Sequence, residues 1–326
     1  MNIKKVIIII AFIAAPYFFA IPSYAQQITL SFDPPIVETR IKPGKSILVA
    51  YTAENKGDPT PLQFLVRPFT PQGQTGSLSV GDTLEGPIIF SLENTDVAFE
   101  KPFFFKSNEK RQAVIKISVP EGIPEGDYYY MVLVETVPSL SVGGQTTGVA
   151  SASIGSPLLI SVTETGVTES KGVISQFSIE PTYLFTFGKK VFRIVDTGLP
   201  LPVVLSIRNI GRNMIDPQGS ITIRGGGTTT SYELLPQHIL SNSQRIVKTN
   251  PPQDNVPSSQ TAYLSGLHLG KNTISASVSF GENTSLLFAQ TDCIGIPVRL
   301  FSLLFVAFCV GGVVIFFAQK RRPIKG

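Results

Sequence analysis

The sequence has no tryptophan, two cysteines, two histidines and few charges. Charged residues make up 15% of its 326 residues, against roughly 25% in a typical soluble domain. Two cysteines exclude a small disulfide-stapled fold, and two histidines leave little material for a zinc site or a catalytic base. Glycine (28), proline (25) and phenylalanine (22) are abundant instead. This composition excludes a disordered chain and favours a turn-rich fold around an apolar core.

The net charge of +4 is unevenly distributed along the chain. Residues 1–25 and 299–326 contain basic residues and no acidic ones, which leaves residues 26–298 with a net charge of −3. The basic character therefore belongs to the two ends. We expect no nucleic-acid partner, because such binding needs a basic face on the folded domain.

The N-terminus has the pattern of a secretory signal peptide. Lys4 and Lys5 precede an apolar run over residues 6–20, and Ser23-Tyr24-Ala25 supplies small residues at the positions that signal peptidase recognises. The pattern predicts cleavage after Ala25, with Gln26 as the new N-terminus. An uncleaved N-terminal anchor is the alternative.

The C-terminus has the pattern of a transmembrane helix. Leu300–Ala318 contains 19 residues without a charge, nearly enough to span a hydrocarbon core of about 30 Å. The basic residues that follow predict a stop-transfer signal with a cytoplasmic C-terminus: Lys320, Arg321 and Arg322. A GPI signal is the alternative, but such signals end in an apolar tail. We therefore expect a single-pass protein of the cell membrane with residues 26–298 outside the cytoplasm.

The region between these two ends is predicted to be all-β. Apolar residues alternate with polar ones over residues 114–119, 203–208 and 274–280, which is the period of a strand with one buried face. Tyr128–Val134 is apolar on both faces and predicts a central strand. Short strands with frequent turns favour β-sandwiches. The predicted organisation is a signal peptide, two tandem immunoglobulin-like β-sandwiches, one transmembrane helix and a basic tail: 1–25, 26–168, 169–296, 299–318 and 319–326.

A weak internal repeat supports the division into two related sandwiches. Each half has an acidic residue before proline, then Gly-Lys, then a strand ending in Asn-x-Gly. We interpret these positions as an edge strand that tolerates proline, a tight turn and a core strand. The corresponding pairs are Asp33-Pro34 and Glu180-Pro181, Gly44-Lys45 and Gly188-Lys189, and Asn55-Lys56-Gly57 and Asn209-Ile210-Gly211.

Several short motifs resemble those of bacterial surface proteins. Residues 116–120, 126–129 and 132–134 resemble the end of a bacterial immunoglobulin-like domain, with a tyrosine corner near residue 128. Residues 207–211, 217–223 and 239–245 are similar to the second domain of WxL-interacting-type surface proteins. That resemblance implies paired immunoglobulin-like domains, a membrane helix with a basic tail, and binding to the cell wall or to a surface protein. It transfers no individual binding residue.

No catalytic, cofactor-binding or metal-binding constellation is present in the sequence. His238 and His268 lack partners at metal-ligand spacing, so we expect both to be loop histidines. Cys293 and Cys309 cannot form a disulfide within the sandwiches, and Cys293 is expected to be a free thiol, with pairing between chains as the alternative. We therefore predict that the protein is not an enzyme and takes no cofactor.

Aromatic runs supply the candidate partner-binding residues. In the runs at residues 103–105 and 128–130, alternation along a strand sends neighbouring rings to opposite faces. The candidates are Phe103, Phe105 and Tyr129, although the same rings also suit a core without tryptophan. The Ser/Gly/Thr-rich segment 139–148 is a candidate recognition loop.

The combined pattern favours a membrane-anchored binding or scaffold protein that presents two sandwiches to the cell wall or to a surface protein. A chaperone-like protein that holds an extended client segment by β-augmentation is the second hypothesis. A long open strand edge without proline or lysine would favour it. An envelope hydrolase with an unrecognised site is the third.

Overall fold

The computed structural model describes residues 27–94, 97–137, 152–281 and 284–320. Two immunoglobulin-like β-sandwiches in tandem are followed by one apolar helix, so the expected fold class is confirmed. The first sandwich contains ten described strands: β1 (Leu30–Asp33), β2 (Val37–Ile41), β3 (Ser46–Asn55), β4 (Thr60–Gln72), β5 (Ser77–Val80), β6 (Ile89–Leu92), β7 (Phe103–Phe105), β8 (Lys110–Ser118), β9 (Gly126–Thr136) and β10 (Ser153–Val162).

The second sandwich also contains ten described strands, and residues 163–171 connect it to the first. Its strands and the helix that follows are β11 (Gly172–Ile179), β12 (Tyr183–Phe187), β13 (Lys190–Asp196), β14 (Leu201–Asn209), β15 (Gln218–Gly225), β16 (Thr228–Glu233), β17 (Gln244–Ile246), β18 (Ala262–Leu264), β19 (Gly270–Ser279), β20 (Leu287–Ile296) and α1 (Val298–Lys320).

The two sandwiches have the same plan. In the first, the sheet β1-β3-β8-β6 faces the sheet β2-β10-β9-β4-β5, with β7 paired to β4. In the second, β11-β14-β17 with β18 faces β12-β13-β20-β19-β15-β16. In both, an early strand runs parallel to the last one: β2 beside β10, and β13 beside β20. This crossing of the first segment between sheets is an immunoglobulin-like feature.

Alternating apolar residues build a separate core in each sandwich. Ile115 and Ile117 on β8 and Val132 and Val134 on β9 are fully buried in the first core. In the second, the alternating residues of β14 and β19 are buried in the same way. The predicted strands over residues 114–119, 203–208 and 274–280 are therefore confirmed. The predicted central strand is β9, which lies between β10 and β4.

A tyrosine corner begins β9, as the resemblance implied. The hydroxyl of Tyr128 donates a 3.0 Å hydrogen bond to the carbonyl of Pro124, four residues upstream. Burial raises the pKa of the Tyr128 phenol. The bond anchors the loop before β9 to the strand itself, in the manner of other sandwich folds.

The Asn-x-Gly part of the internal repeat is a shared structural element. Asn55 accepts a bond from the N–H of Gly57 (3.0 Å) and donates to the carbonyl of Asp58 (2.8 Å). Asn209 accepts from the N–H of Gly211 (2.8 Å) and donates to the carbonyls of Asn213 and Ile239. Both asparagines are buried at the end of equivalent strands, β3 and β14. Each satisfies backbone groups that a turn would otherwise leave unpaired.

The predicted equivalence of the two Gly-Lys turns is wrong. Gly44-Lys45 lies in the turn after β2, which pairs in parallel with the last strand of its sandwich. Gly188-Lys189 is instead the turn between β12 and β13. The equivalent of β2 is β13, so β12 is an added strand that has no counterpart among the described strands of the first sandwich. The sequence pattern does not reveal the extra strand, because the two short turns have similar composition.

The helix α1 leaves the second sandwich directly after β20. It contains 23 residues, about 35 Å at 1.5 Å per residue. None of the residues over 298–315 is buried against the rest of the chain. Lys320 ends the helix, whereas the other stop-transfer residues, Arg321 and Arg322, and the cleavage pair, Ala25 and Gln26, lie outside the described residues.

Candidate functional site

The aromatic residues predicted to contact a partner do not form one exposed surface. Phe105 is fully buried, so the exposure expected for it is wrong, and Phe103 stacks on Phe64 with ring centroids 5.3 Å apart. The guanidinium of Arg111 lies 5.2 Å from the centre of the Phe103 ring. The exposed ring of the triplet is Phe104, at 58%. Residues 103 and 105 share one face of β7, and that face packs on the core.

The third predicted residue, Tyr129, lies in the junction between the two sandwiches. Its hydroxyl donates to the carboxylate of Asp127 (2.9 Å) and accepts from the backbone N–H of Ser241 (2.8 Å). Burial, followed by the neighbouring Asp127 carboxylate, raises the pKa of the Tyr129 phenol. The tyrosine therefore serves a contact within the chain, and its hydroxyl is not free for a partner.

Asp127 is the polar centre of the same junction. One carboxylate oxygen accepts from the hydroxyl of Ser161 and from the side-chain amide of Asn213, both at 2.7 Å. The other accepts from Tyr129 and from the backbone N–H of Met214 at 2.5 Å. Two donors belong to each sandwich. A carboxylate that is hydrogen-bonded from both sides holds the two domains in one arrangement.

Apolar contacts and a hairpin tip complete the junction. A small cluster of buried side chains spans it: Phe69, Met131 and Leu159 from the first sandwich and Leu240 from the second. The turn between β4 and β5 reaches across as well, because the carbonyl of Gln74 accepts a 2.8 Å bond from the N–H of Ile246 on β17. The junction thus combines the burial of apolar side chains with a backbone hydrogen bond between the two sandwiches.

A cleft of about 550 Å³ opens beside the junction, and His238 lies near it. The two ring nitrogens of His238 contact carboxylates of different domains, Asp216 at 2.6 Å and Glu38 at 3.0 Å. The hydrogen bond to Asp216 raises the pKa of His238, although partial burial opposes it. The backbone carbonyl of His238 also accepts a bond from Arg245. The expected loop histidine is therefore an ionic contact between domains.

Metal and thiol chemistry have no visible site in the described part of the chain. No group of three or more His, Cys, Asp or Glu side chains is arranged there to hold a metal ion. Cys293 faces the core of the second sandwich and is 2% exposed. Burial raises the pKa of its thiol to about 11. This placement fits a free, buried thiol and leaves no surface for pairing between chains.

The added strand β12 is the most unusual feature of the surface. It pairs only with β13 among the described strands and forms the edge of its sheet. All five of its residues are exposed, including Tyr183 (54%), Leu184 (67%), Phe185 (56%) and Phe187 (74%). None of them is proline or charged. Other edges differ: β2 carries Glu38 and Arg40, and β16 is mostly threonine and serine.

One face of the β12–β13 hairpin continues as an apolar depression on the sheet. Tyr183, Phe185 and Phe187 share this face, and the Phe185 and Phe192 rings lie 6.4 Å apart. The depression measures about 360 Å³ and is lined only by apolar side chains: Phe185, Phe187, Phe192, Ile194, Ile294 and Ile296. We call these six residues the aromatic groove. Sequence reasoning missed it, although the run Tyr-Leu-Phe-Thr-Phe was a visible signal.

Asp196 connects this hairpin to the helix. One oxygen of its carboxylate accepts from the N–H of Gly198 (2.9 Å) and the other from the N–H of Arg299 in the first turn of α1 (3.3 Å). The N–H of Asp196 in turn donates to the hydroxyl of Thr182 (3.0 Å). A carboxylate at a helix N-terminus is stabilising. The hairpin and the start of the helix are therefore hydrogen-bonded to the same residue.

Comparison with known proteins finds similarity only among solved structures. No family model and no curated protein matches the chain. Among solved structures, a chaperone–tip adhesion subunit complex (CsuC–CsuE) of Acinetobacter baumannii matches at 14% identity over 82% of this chain and 99% of that one, with a TM-score of 0.37. A Salmonella enterica pilin–chaperone complex (SafA–SafB) matches at 11% over 83% and 100%, with a TM-score of 0.36. Such distant likenesses carry no conclusion about activity or partner.

Proposed function

We propose that this chain is a single-pass membrane protein that binds an extended segment of a protein partner outside the cytoplasm, along the open edge of β12. One observation carries the proposal: every residue of β12 is exposed, and none is charged or proline. Sheet edges are normally protected by such residues, because an unprotected edge pairs with other chains. An added partner strand is a known way to bind an extended peptide.

The backbone of β12 is suitable for this pairing. Gly188 and Lys189 form a two-residue turn, so Phe187 and Lys190 are the hydrogen-bonded pair beside it. Alternation along an antiparallel ladder then directs the N–H and C=O groups of Leu184 and Thr186 away from β13. These four groups face the open edge. They provide the donors and acceptors that a partner strand needs.

The membrane placement rests on the two ends of the chain. The helix α1 is apolar, unburied over 298–315 and long enough to cross a bilayer. Basic residues end it, which favours a cytoplasmic C-terminus. The signal-like pattern over residues 1–25 agrees with this orientation. Together these features support an anchored protein whose sandwiches lie outside the cytoplasm.

Two roles share this binding chemistry. A scaffold keeps its partner at the membrane, whereas a chaperone releases the bound segment. The resemblance to WxL-interacting-type proteins adds cell-wall polymer as a further ligand class. If wild type and a β12 variant pellet equally with purified wall sacculi, the wall-binding site lies elsewhere on the chain.

Site-specific photo-crosslinking in intact host cells tests the proposal. A benzophenone amino acid at Leu184 is expected to yield a discrete crosslinked protein. The same probe at Ser231, on the open edge of β16, is expected to yield none. Adding Thr186→Pro should abolish the Leu184 product, because proline removes an outward N–H and leaves the hairpin bonds to β13 intact.

The matched control is Thr229→Pro. Thr229 occupies an outward position on β16, one residue from the two-residue turn between β15 and β16, as Thr186 does on β12. This control is expected to leave the Leu184 crosslink unchanged. Absence of any Leu184 product, or a product that survives Thr186→Pro, contradicts the proposal.

A further inference from the structure

The charges of the β12–β13 hairpin are all of one sign. Residues 181–195 contain no acidic residue and three basic ones, Lys189, Lys190 and Arg193. All three are exposed, and none forms an ion pair with a described carboxylate. This local charge of +3 stands against the net −3 of residues 26–298. The hairpin is therefore a basic surface on an otherwise mildly acidic region.

Two of the three positive charges lie at one end of the open edge, whereas Arg193 lies nearer the other end. Lys189 and Lys190 are in and beside the turn that follows Phe187, whereas Tyr183 begins the strand at the other end. The aromatic groove lies between these two ends, on one face of the hairpin. A segment paired with β12 would place alternate side chains on the aromatic face and one of its ends beside the two lysines.

From this arrangement we infer that the partner segment is an acidic–apolar strand: large apolar residues at alternate positions, preceded by two or more acidic residues. The inference rests on the proposed function and specifies its partner. Antiparallel pairing, the more stable arrangement, places the N-terminal end of the segment beside the turn. Opposite charge there favours correct register and faster association.

A second copy of this chain fits the surface less well. An antiparallel pair of β12 strands would bring only one acidic residue, Glu180, towards the two lysines of the other copy. It would also bring together two hairpins that each carry +3, and like charges at an interface are unfavourable. A lipid surface also fits less well. Since β13 runs parallel to β20 and ends at Asp196, beside the helix, the turn lies about 20 Å from the start of α1 at 3.3 Å per residue. The lysines are thus at the end of the hairpin remote from the helix.

Peptide binding to the full-length protein in phosphatidylcholine nanodiscs tests the inference. The probe is a fluorescent peptide of two aspartates followed by an alternating Ile-Thr run of five residues. The comparison peptides carry two lysines in place of the aspartates, or the aspartates at the C-terminal end. We expect anisotropy to show the N-terminal aspartate peptide binding about tenfold more tightly than either, with the preference weakening at high salt.

Charge reversal of the turn identifies the source of the preference. Lys189→Glu with Lys190→Glu is expected to weaken binding of the aspartate peptide about tenfold and to strengthen binding of the lysine peptide. The control, Lys42→Glu with Lys45→Glu, makes the same charge change at an exposed turn of the first sandwich and should alter neither affinity. Equal binding of all three peptides to wild type, or no effect of reversal at the hairpin, overturns the inference.

Thr186→Pro separates this inference from the proposed function. If Thr186→Pro abolishes binding while charge reversal has no effect, the edge binds strands without the acidic preference, and only the inference fails. If charge reversal acts and Thr186→Pro does not, the contact is not a strand pairing and the proposed function fails. Self-association that Thr186→Pro abolishes would make a second copy the occupant. If the peptide binds in phosphatidylcholine nanodiscs but not in phosphatidylglycerol nanodiscs, the hairpin binds anionic lipid. Either this result or such self-association overturns the inference.

Discussion

The side-chain amide of Asn213, in the second sandwich, donates a 2.7 Å hydrogen bond to the carboxylate of Asp127, in the first. The backbone N–H of Met214 donates to the other oxygen of the same carboxylate. The pair is 86 residues apart in sequence, yet it fixes how the two domains meet. One acidic side chain thus carries much of the polar contact across the junction.

Replacement of Asp127 by alanine is expected to uncouple the two sandwiches. Four donors lose their acceptor, and each buried donor left unpaired costs about 1–3 kcal/mol, partly relieved by water. We expect urea unfolding of residues 27–297 to change from one transition to two, with the first transition losing about 2–4 kcal/mol. Asp254→Ala, at an exposed loop position, should retain the wild-type curve. A single unshifted transition for Asp127→Ala contradicts this role.

The contact of His238 with Asp216 and Glu38 predicts a pH dependence of the junction. Because the folded pKa of His238 is raised, chiefly by its hydrogen bond to Asp216, the protonated histidine stabilises the folded state. That contribution is complete below the unfolded value of about 6.5 and is lost as pH rises through the folded pKa.

The measurement is the difference in free energy of unfolding between wild type and His238→Gln across pH 5.5 to 9. The difference should be largest at the acidic end and shrink towards pH 9. Asp216→Asn removes the main cause of the raised pKa, so wild type should lose its advantage over this variant in the same window. A difference that grows with pH would show that the neutral imidazole is the stabilising form.

Asn209→Ala should destabilise the second sandwich. The asparagine satisfies one N–H and two carbonyl groups in a buried turn, so its loss is expected to cost about 2–3 kcal/mol. Thermal or urea unfolding measures this directly. Asn255→Ala, at an exposed loop position, is the control. An effect below about 0.5 kcal/mol, which is the scatter of surface substitutions, would mean that water replaces these bonds.

The thiol of Cys293 should be unreactive in the folded protein. At pH 8 a thiol with a pKa of about 11 is about a hundredfold less ionised than an unperturbed one, and burial blocks access further. In a Cys309→Ser background, where Cys293 is the remaining cysteine, a thiol reagent should react at least about a hundredfold more slowly before unfolding than after it. Comparable rates would mean that this edge of the sandwich opens readily.

Local features of the fold were predictable from the sequence because local rules determine them. Alternation identified β8, β14 and β19, and the Asn-x-Gly motifs marked equivalent turns in both sandwiches. The tyrosine corner at residue 128 followed from the same kind of short pattern. In each case the contacting groups lie within the same sandwich, and they are often only a few residues apart in the sequence.

The candidate sites were not predictable, since they depend on how distant strands pair. Alternation shows that Phe103 and Phe105 share a face, but only the pairing of β7 with β4 determines that this face points inward. Tyr129 is a candidate partner-binding residue by sequence, but its hydroxyl contacts Ser241 of the other domain. Gly188-Lys189 resembles Gly44-Lys45 in composition, and this likeness conceals the extra strand β12 and its open edge.

The bonds of Asp196 to Gly198 and Arg299 join the end of the hairpin to the first turn of the helix. With α1 in a bilayer, as proposed, the binding edge is confined to a shell roughly 20 Å deep above the membrane. A partner that shares the membrane then searches for this edge in two dimensions, at a high effective concentration. A freely diffusing partner has no such advantage. On the proposed function, this placement therefore favours partners that are themselves attached to, or emerging from, the same bilayer.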